Sequence, residues 1–305
     1  MRFVWCCMTT AEKYGDLLNP EFMNRLERLD IVSRKIFAGK MKGEKRSKRK
    51  GQSVEFADYR NYVAGDDLRF LDWNIYGRLE RLFIKLFFEE EDLHVSVLLD
   101  ASSSMDFGNP AKALYAKRVA AAIAYVGLVN YNRVTLCAFG EQFGPELIGV
   151  RGRHQISKVL NHLVGLEPAG AGNLTAACRQ FAIRHPQPGV VLLLSDFMDK
   201  GGYDTGLRYL VGRNYDLYAI QLLSPQEIEP DLVGDLRLRD VEDDDIAEIT
   251  VSRPLLNRYK QNLGAYCGQL NEFCTRRGIV YLFTSTAVPF DQLVLTYLRR
   301  RGLLK

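Results

Sequence analysis

The chain has 305 residues, 47% hydrophobic and 26% charged, with a formal net charge of +4. That length is enough for one large core with an appendage, or for two domains. The small net charge excludes a whole-protein field strong enough to select nucleic acid or an anionic surface by itself.

The opening MRFVWCCMTT is too short for a signal peptide and carries no small-residue cleavage site, and Met8 is an alternative start to Met1. Residues 17–39 repeat apolar side chains at helical spacing (Leu17, Leu18, Phe22, Leu26, Leu29, Val32, Ile36, Phe37), which predicts one or two amphipathic helices. A basic run follows, with seven Lys or Arg between positions 40 and 50. It reads as a solvated linker, or as a contact for nucleic acid or another acidic surface. Residues 51–92 then mix acids, arginines and aromatics too closely for a solvated loop. From residue 93 the pattern alternates strand and helix, as in α/β proteins. Strands are predicted at 93–99, 133–139, 189–197, 215–223 and 279–286, with a short extended piece near 146–150. Helices are predicted at about 110–130, 153–164, 174–184, 203–212, 254–277 and 290–301. The charged segment 224–250 contains two alternating stretches, LRLRDV and DIAEITV, which suit an added hairpin.

No stretch reaches the roughly 18 apolar residues of a membrane helix. The six cysteines form no framework. Cys6 and Cys7 are adjacent, and Cys137 and Cys178 fall in a predicted strand and helix. Cys267 and Cys274 share a helix face about 10.5 Å apart in rise, too far to be bridged. Free thiols and a reducing cytoplasm are expected.

The most informative segment is LHVSVLLDASSS, 93–104. An apolar, branched strand ends in Asp100, Ser102 and Ser104, which puts a carboxylate and two hydroxyls on a tight turn. In open α/β sheets ligands bind at that carboxyl edge. Three hard oxygen donors suit Mg²⁺ or a similar cation, and the alternative is a helix-capping turn. Asp196 ends another apolar strand and belongs on the same rim if both strands are parallel. Enzyme motifs are missing: there is no phosphate loop, nucleophile elbow or His-Glu-x-x-His. His94, His154, His162 and His185 show no ligand spacing, and the acidic stretch 240–245 reads as a solvated turn.

With these residues in place, the chain from 93 onward resembles a von Willebrand factor A domain with its metal-ion-dependent adhesion site. The resemblance implies a three-layer, doubly wound, mostly parallel α/β fold. It implies a metal set of Asp100, Ser102, Ser104 and Asp196, completed by a Thr from the loop PAGAGNLTAACRQF. In that loop Gly172, Asn173 or Thr175 takes the Thr position, depending on register, so Mg²⁺ binding is expected to be weak. Residues 51–92 resemble the bacterial "domain of unknown function fifty-eight" family through Glu55, Phe56, Arg60, Tyr62, Gly65, Asp66, Asp67, Arg69, Asp72, Trp73, Lys85 and Glu89. Proteins of that family are usually encoded beside MoxR-type AAA+ ATPases.

The expected organisation is therefore N-terminal helices and linker over 1–50, a family-specific segment over 51–92 packed on the main domain, and the A-type domain over 93–305. Within 51–92, Asp66, Asp67 and Asp72 are expected to pair with Arg60, Arg69 and Arg78 as a structural ion-pair knot, with a buried Trp73. A direct partner-binding role for the segment is the alternative. The expected function is a non-enzymatic, cytoplasmic protein-interaction module that docks through the Asp100/Ser102/Ser104 rim, with Mg²⁺ as its potential ion, and acts with a MoxR-type ATPase in assembly or remodelling of complexes. A nucleic-acid adaptor using residues 40–50 is the alternative, and a metal-dependent hydrolase ranks third.

Overall fold

The structure is a computed structural model that describes residues 17–33, 56–87, 93–232, 234–239 and 246–305. The basic run, Glu55, Glu89, Cys6, Cys7, Ile36, Phe37 and the acidic stretch 240–245 lie outside them. Chain contacts divide the protein into two compact units, one from Met1–Gly43 with Leu93–Lys305 and one from Glu44–Asp92.

Helix α1, Pro20–Leu26, starts where the Asn19 side chain accepts from the Phe22 N–H at 2.7 Å and proline occupies the first turn. The predicted helix does not continue. Residues 29–33 are extended, and Ile31 pairs antiparallel with Leu304. The Val32 amide donates to Leu303 O at 2.9 Å, and Asp30 and Lys305 exchange backbone bonds. Burial there alternates: Leu29, Ile31 and Ser33 are buried while Asp30 and Val32 are not. The apolar spacing fitted a helix, but pairing with the distant C-terminus set a period of two.

In the smaller unit, strand β1 (Phe56–Asn61) pairs antiparallel with β2 (Phe83–Phe87), and helix α2 (Trp73–Leu79) lies between them in sequence.

In the larger unit, β3 (His94–Asp100) leads into α3 (Lys112–Val129), β4 (Arg133–Phe139) and β5 (Phe143–Val150). Helices α4 (Ile156–Val164) and α5 (Leu174–Arg184) precede β6 (Gly189–Ser195). Next come α6 (Asp204–Val211), β7 (Tyr215–Leu223) and a short turn of helix, α7 (Pro225–Ile228). A two-stranded hairpin of β8 (Gly234–Arg239) and β9 (Ile246–Val251) follows, as its alternation predicts. The long α8 (Arg253–Arg276), β10 (Val280–Ser285) and a closing helix, Phe290–Gln292 continued by a π-type stretch Leu293–Leu298, finish the chain.

The six-stranded sheet runs β10-β7-β6-β3-β4-β5, all parallel except the antiparallel edge strand β5. Strand side chains alternate between two cores. Val95, Val97, Leu99, Val190, Leu192 and Leu194 face one, with α1, α3, α4 and the closing helix over it. Leu98, Val191, Leu193, Leu217 and Ala219 face the other, beneath α5, α6 and α8. The result is a three-layer α/β domain of the von Willebrand factor A type. Helix α3 is buried almost all round, which is why its sequence is alanine-rich and nearly without a polar face. The chain order reverses between β3 and β6, the switch point where open α/β sheets place their sites.

Candidate functional site at the sheet switch point

The parallel register aligns Leu99 with Leu194, so Asp100 and Asp196 emerge on the same rim, as predicted. Asp100 Oδ1 accepts from the Ser102 amide at 3.0 Å and from Ser102 Oγ at 2.6 Å. Ser102 and Ser104 hydroxyls are 3.0 Å apart, and Ser104 Oγ donates to Asp196 Oδ2 at 3.0 Å. A continuous chain of hydroxyls thus joins the two carboxylates. Asp100, Ser102 and Asp196 are all buried. Burial, and after it the charge of Asp196, pushes the Asp100 carboxyl up to about 6, against the hydrogen bonds from Ser102 and Ser195.

The rest of the predicted set does not join this cluster. Asn173 Oδ1 accepts from the Ala176 amide at 2.9 Å and so caps α5. Asp199 Oδ2 takes the Leu174 amide at 2.7 Å. Thr175 lies in the first turn of α5, where the helix backbone is held against Gly206 of α6. Gly172 offers no side chain. The loop that was expected to supply a hydroxyl is committed to starting a helix.

Other residues, drawn from distant parts of the chain, complete the site. Ser195 donates to Asp100 Oδ2 at 2.6 Å and accepts from the Phe197 amide at 2.9 Å. Gln221 Nε2 donates to Asp196 O at 2.9 Å and is itself held by the Tyr281 hydroxyl at 2.6 Å. Phe197, fully buried, has φ of 60°, a left-handed conformation costing a non-glycine residue about 1–2 kcal/mol. Lys112, with no exposed surface, places Nζ 2.7 Å from Asp196 Oδ2 and 2.5 Å from Glu227 Oε1. Burial lowers its pKa, but Asp196 and Glu227 outweigh that and leave it above the ordinary lysine value. Glu227 is fixed by a capping box with Ser224 at the start of α7. Gly108, at φ 99°, lets the loop before α3 close on that turn, since a Cβ there would lie 2.4 Å from Ser224 Cβ. Ser195 had one sequence signal, its place beside a strand-end Asp. Lys112 had none, because Glu227 lies 115 positions away.

The oxygen donors suggest a divalent ion, but their lone pairs are already occupied. Both Asp100 oxygens are taken by hydroxyls, Asp196 Oδ2 faces an ammonium, and Asp196 Oδ1 accepts from the Met198 amide at 3.0 Å. The hydroxyl expected from the loop before α5 is not among these contacts. As arranged, these residues do not fit a divalent cation.

A second polar cluster gathers Cys137, Glu146 and His185 with ligand atoms within 4.8 Å of one another. Their separation along the chain hides it from spacing arguments. Arg184 pairs with Glu146, His185 Nε2 lies 3.2 Å from Glu146 Oε2, and burial drives the Cys137 thiol pKa far up. With its carboxylate already neutralised, the cluster anchors edge strand β5 to the end of α5.

In the smaller unit the predicted pairs form in part. Asp66 takes both guanidinium nitrogens of Arg60 at 2.7 and 2.9 Å, and Asp67 takes Arg69 at 2.6 Å. Asp72 pairs with Lys85 at 2.9 Å instead of Arg78, accepts from Tyr59 at 3.1 Å and caps α2 through the Asn74 and Ile75 amides. Only Asp72 is buried. Trp73 was expected to be buried, yet it is 64% exposed. It directly follows the cap of α2, a helix with no buried residue, and its indole meets Tyr76 edge-on with ring centroids 6.2 Å apart. The unit is therefore not a buried ion-pair knot closed over an aromatic core.

Lys85, with the capping amides and Tyr59, holds the Asp72 carboxyl down at about 2. A depressed folded pKa stabilises above the unfolded value, roughly 3.9, and the benefit is lost as pH falls through the folded one. Acid titration is therefore expected to loosen this unit between about pH 4 and pH 2. Fluorescence of Trp73, in a Trp5→Phe background, should report it, and Asp72→Asn should flatten the response. An unchanged acid transition in Asp72→Asn would assign the loosening elsewhere.

Among the described residues no helix is long and apolar enough to cross a membrane. The four described cysteines, Cys137, Cys178, Cys267 and Cys274, are free. The chain is 26% identical over 259 residues to the uncharacterized protein Mb1516 of Mycobacterium bovis, covering 83% of this chain and 81% of that one. Among solved structures it is similar to an aerotolerance-related membrane protein from Bacteroides fragilis, at 14% identity and a TM-score of 0.44, covering 68% of this chain and 99% of that one. BatB from Bacteroides thetaiotaomicron matches at 12% identity and a TM-score of 0.39, over 68% and 98% of the two chains. The family model described as protein of unknown function DUF58 matches residues 58–266, across the smaller unit and most of the A-type sheet, and the chain belongs to that family.

Proposed function

We propose that this protein is a non-enzymatic, cytoplasmic interaction module. It presents a surface to a MoxR-type AAA+ ATPase during assembly or remodelling of protein complexes. The observation that carries the reading is the apolar surface of the smaller unit. Leu68, Phe70, Trp73, Tyr76 and Leu79 are all exposed within about a dozen residues. Concentrations of this kind mark interaction sites, and tryptophan and tyrosine are the commonest anchors in them. Two further exposed apolar side chains, Phe107 and Met198, stand on the loops leaving β3 and β6. The Asp100 rim beneath them has its oxygens turned inward on one another, so it shapes those loops and is not itself the contact. The choice of ATPase rests on the family resemblance.

The test is interferometry with the immobilised full chain and a purified MoxR-type ATPase from the same genome, at physiological salt. Saturable binding that survives added heparin supports the proposal. Failure to bind, together with salt-sensitive capture of generic nucleic acid, would replace it with the adaptor reading that uses residues 40–50.

A further inference from the structure

We infer that Lys112 is the resident cation of the switch-point site, so that the rim is closed by a tethered ammonium and works without a divalent metal. Three acids converge there: Asp100, Asp196 and Glu227. A bare set of that kind repels itself and calls for positive charge. The chain supplies it from the first residue of α3. Lys112 Nζ lies 2.7 Å from Asp196 Oδ2 and 2.5 Å from Glu227 Oε1, with the side chain fully buried. Both bonds are charge-assisted, which suits a lysine that has given up its hydration.

The position of the ammonium matters as much as its charge. It sits on the Asp196 oxygen that also accepts from Ser104, the oxygen nearest the hydroxyl chain leading to Asp100. An added divalent ion at those hydroxyls would face the ammonium and would also have to displace the Ser102 and Ser195 hydrogen bonds to Asp100. The same ammonium joins three rim elements: the start of α3, the end of β6 and the turn after β7. Glu227 is held ready for it by Ser224, and Tyr259 donates to Glu227 O at 2.7 Å. The cation is therefore built into the fold and links the rim loops. This inference is independent of the docking surface proposed above.

The test uses the full chain, with MgCl₂ as the probe. Calorimetric titration of the parent is expected to show no stoichiometric Mg²⁺ binding at millimolar concentration, and its melting curve should be the same in MgCl₂ and in chelator. Lys112→Met should melt several degrees lower and recover part of that loss in MgCl₂, because the vacated position then faces unpaired carboxylates. One-to-one Mg²⁺ binding to the parent, or a Lys112→Met protein that melts like the parent, would overturn the inference. Where Lys112→Met does not fold, the double variant Lys112→Met/Asp196→Asn decides. Partial rescue of folding by the second change shows that the two charges are coupled. No rescue shows that Lys112 is not the counter-ion of Asp196, which also overturns it.

Discussion

Leu26→Ala is expected to destabilise the larger unit by about 2–5 kcal/mol, the range for deleting a buried leucine side chain. Leu26 has no exposed surface and packs with Phe22, Leu17 and Leu18 into the core over α3. Its helix precedes the sheet by some seventy residues of chain, so the effect is not a local one. Chain ends usually contribute little. Here residues 29–33 pair with the Leu303–Lys305 segment, Ile31 against Leu304, and both segments bury apolar side chains in the same core. Urea denaturation followed by far-UV circular dichroism measures the loss. A change under about 1 kcal/mol, the ordinary cost of a point substitution, would mean that α1 only rests on the surface. The same reasoning expects removal of residues 1–33 to leave the sheet without its full cover over α3.

Trp73→Ala is expected to weaken the proposed binding to a MoxR-type ATPase by about thirty-fold or more, the effect of losing an anchor worth at least 2 kcal/mol. Its stability should stay within about 0.5 kcal/mol of the parent, as for an exposed position. The contrast between those two readouts carries the prediction. The indole is exposed and touches Tyr76, so few contacts within its own unit are lost on truncation. Asp72 remains to cap α2 and pair with Lys85. Interferometry against the ATPase and a thermal melt of the same sample separate the outcomes. A Trp73→Ala protein that melts early yet binds normally would return this segment to a purely structural role.

The layered α/β fold was legible because its signals are local. Each central strand is a short branched run bounded by turn residues, and a fully buried parallel strand has few other ways to read. The alternation of Val95, Val97 and Leu99 against Leu98 falls directly into the two cores. Asp100, Ser102 and Ser104 were visible for the same reason, because five consecutive positions hold all three. Asp196 followed once both strands were taken as parallel, and the register bears that out.

What the sequence determined by itself, then, is the run of strands and helices from residue 93 onward, the family and the acid-and-hydroxyl turn at a strand end. Each is carried by a continuous stretch of chain and needs no contact between distant segments. Tertiary structure alone decided how those groups are used. Lys112 meets Asp196 across 84 positions and Glu227 across 115, a pairing that no spacing encodes. Asn173, a candidate ligand by its place in a loop, spends its oxygen on the Ala176 amide because the helix begins there. Residues 29–33 carry a helical apolar pattern but lie extended, since the Leu303–Lys305 backbone offers them hydrogen bonds that a helix would have to supply internally. Trp73 was placed inside by its size, and the structure places it outside. Burial is settled by which surfaces meet, and a side chain's hydrophobicity alone does not specify its partner.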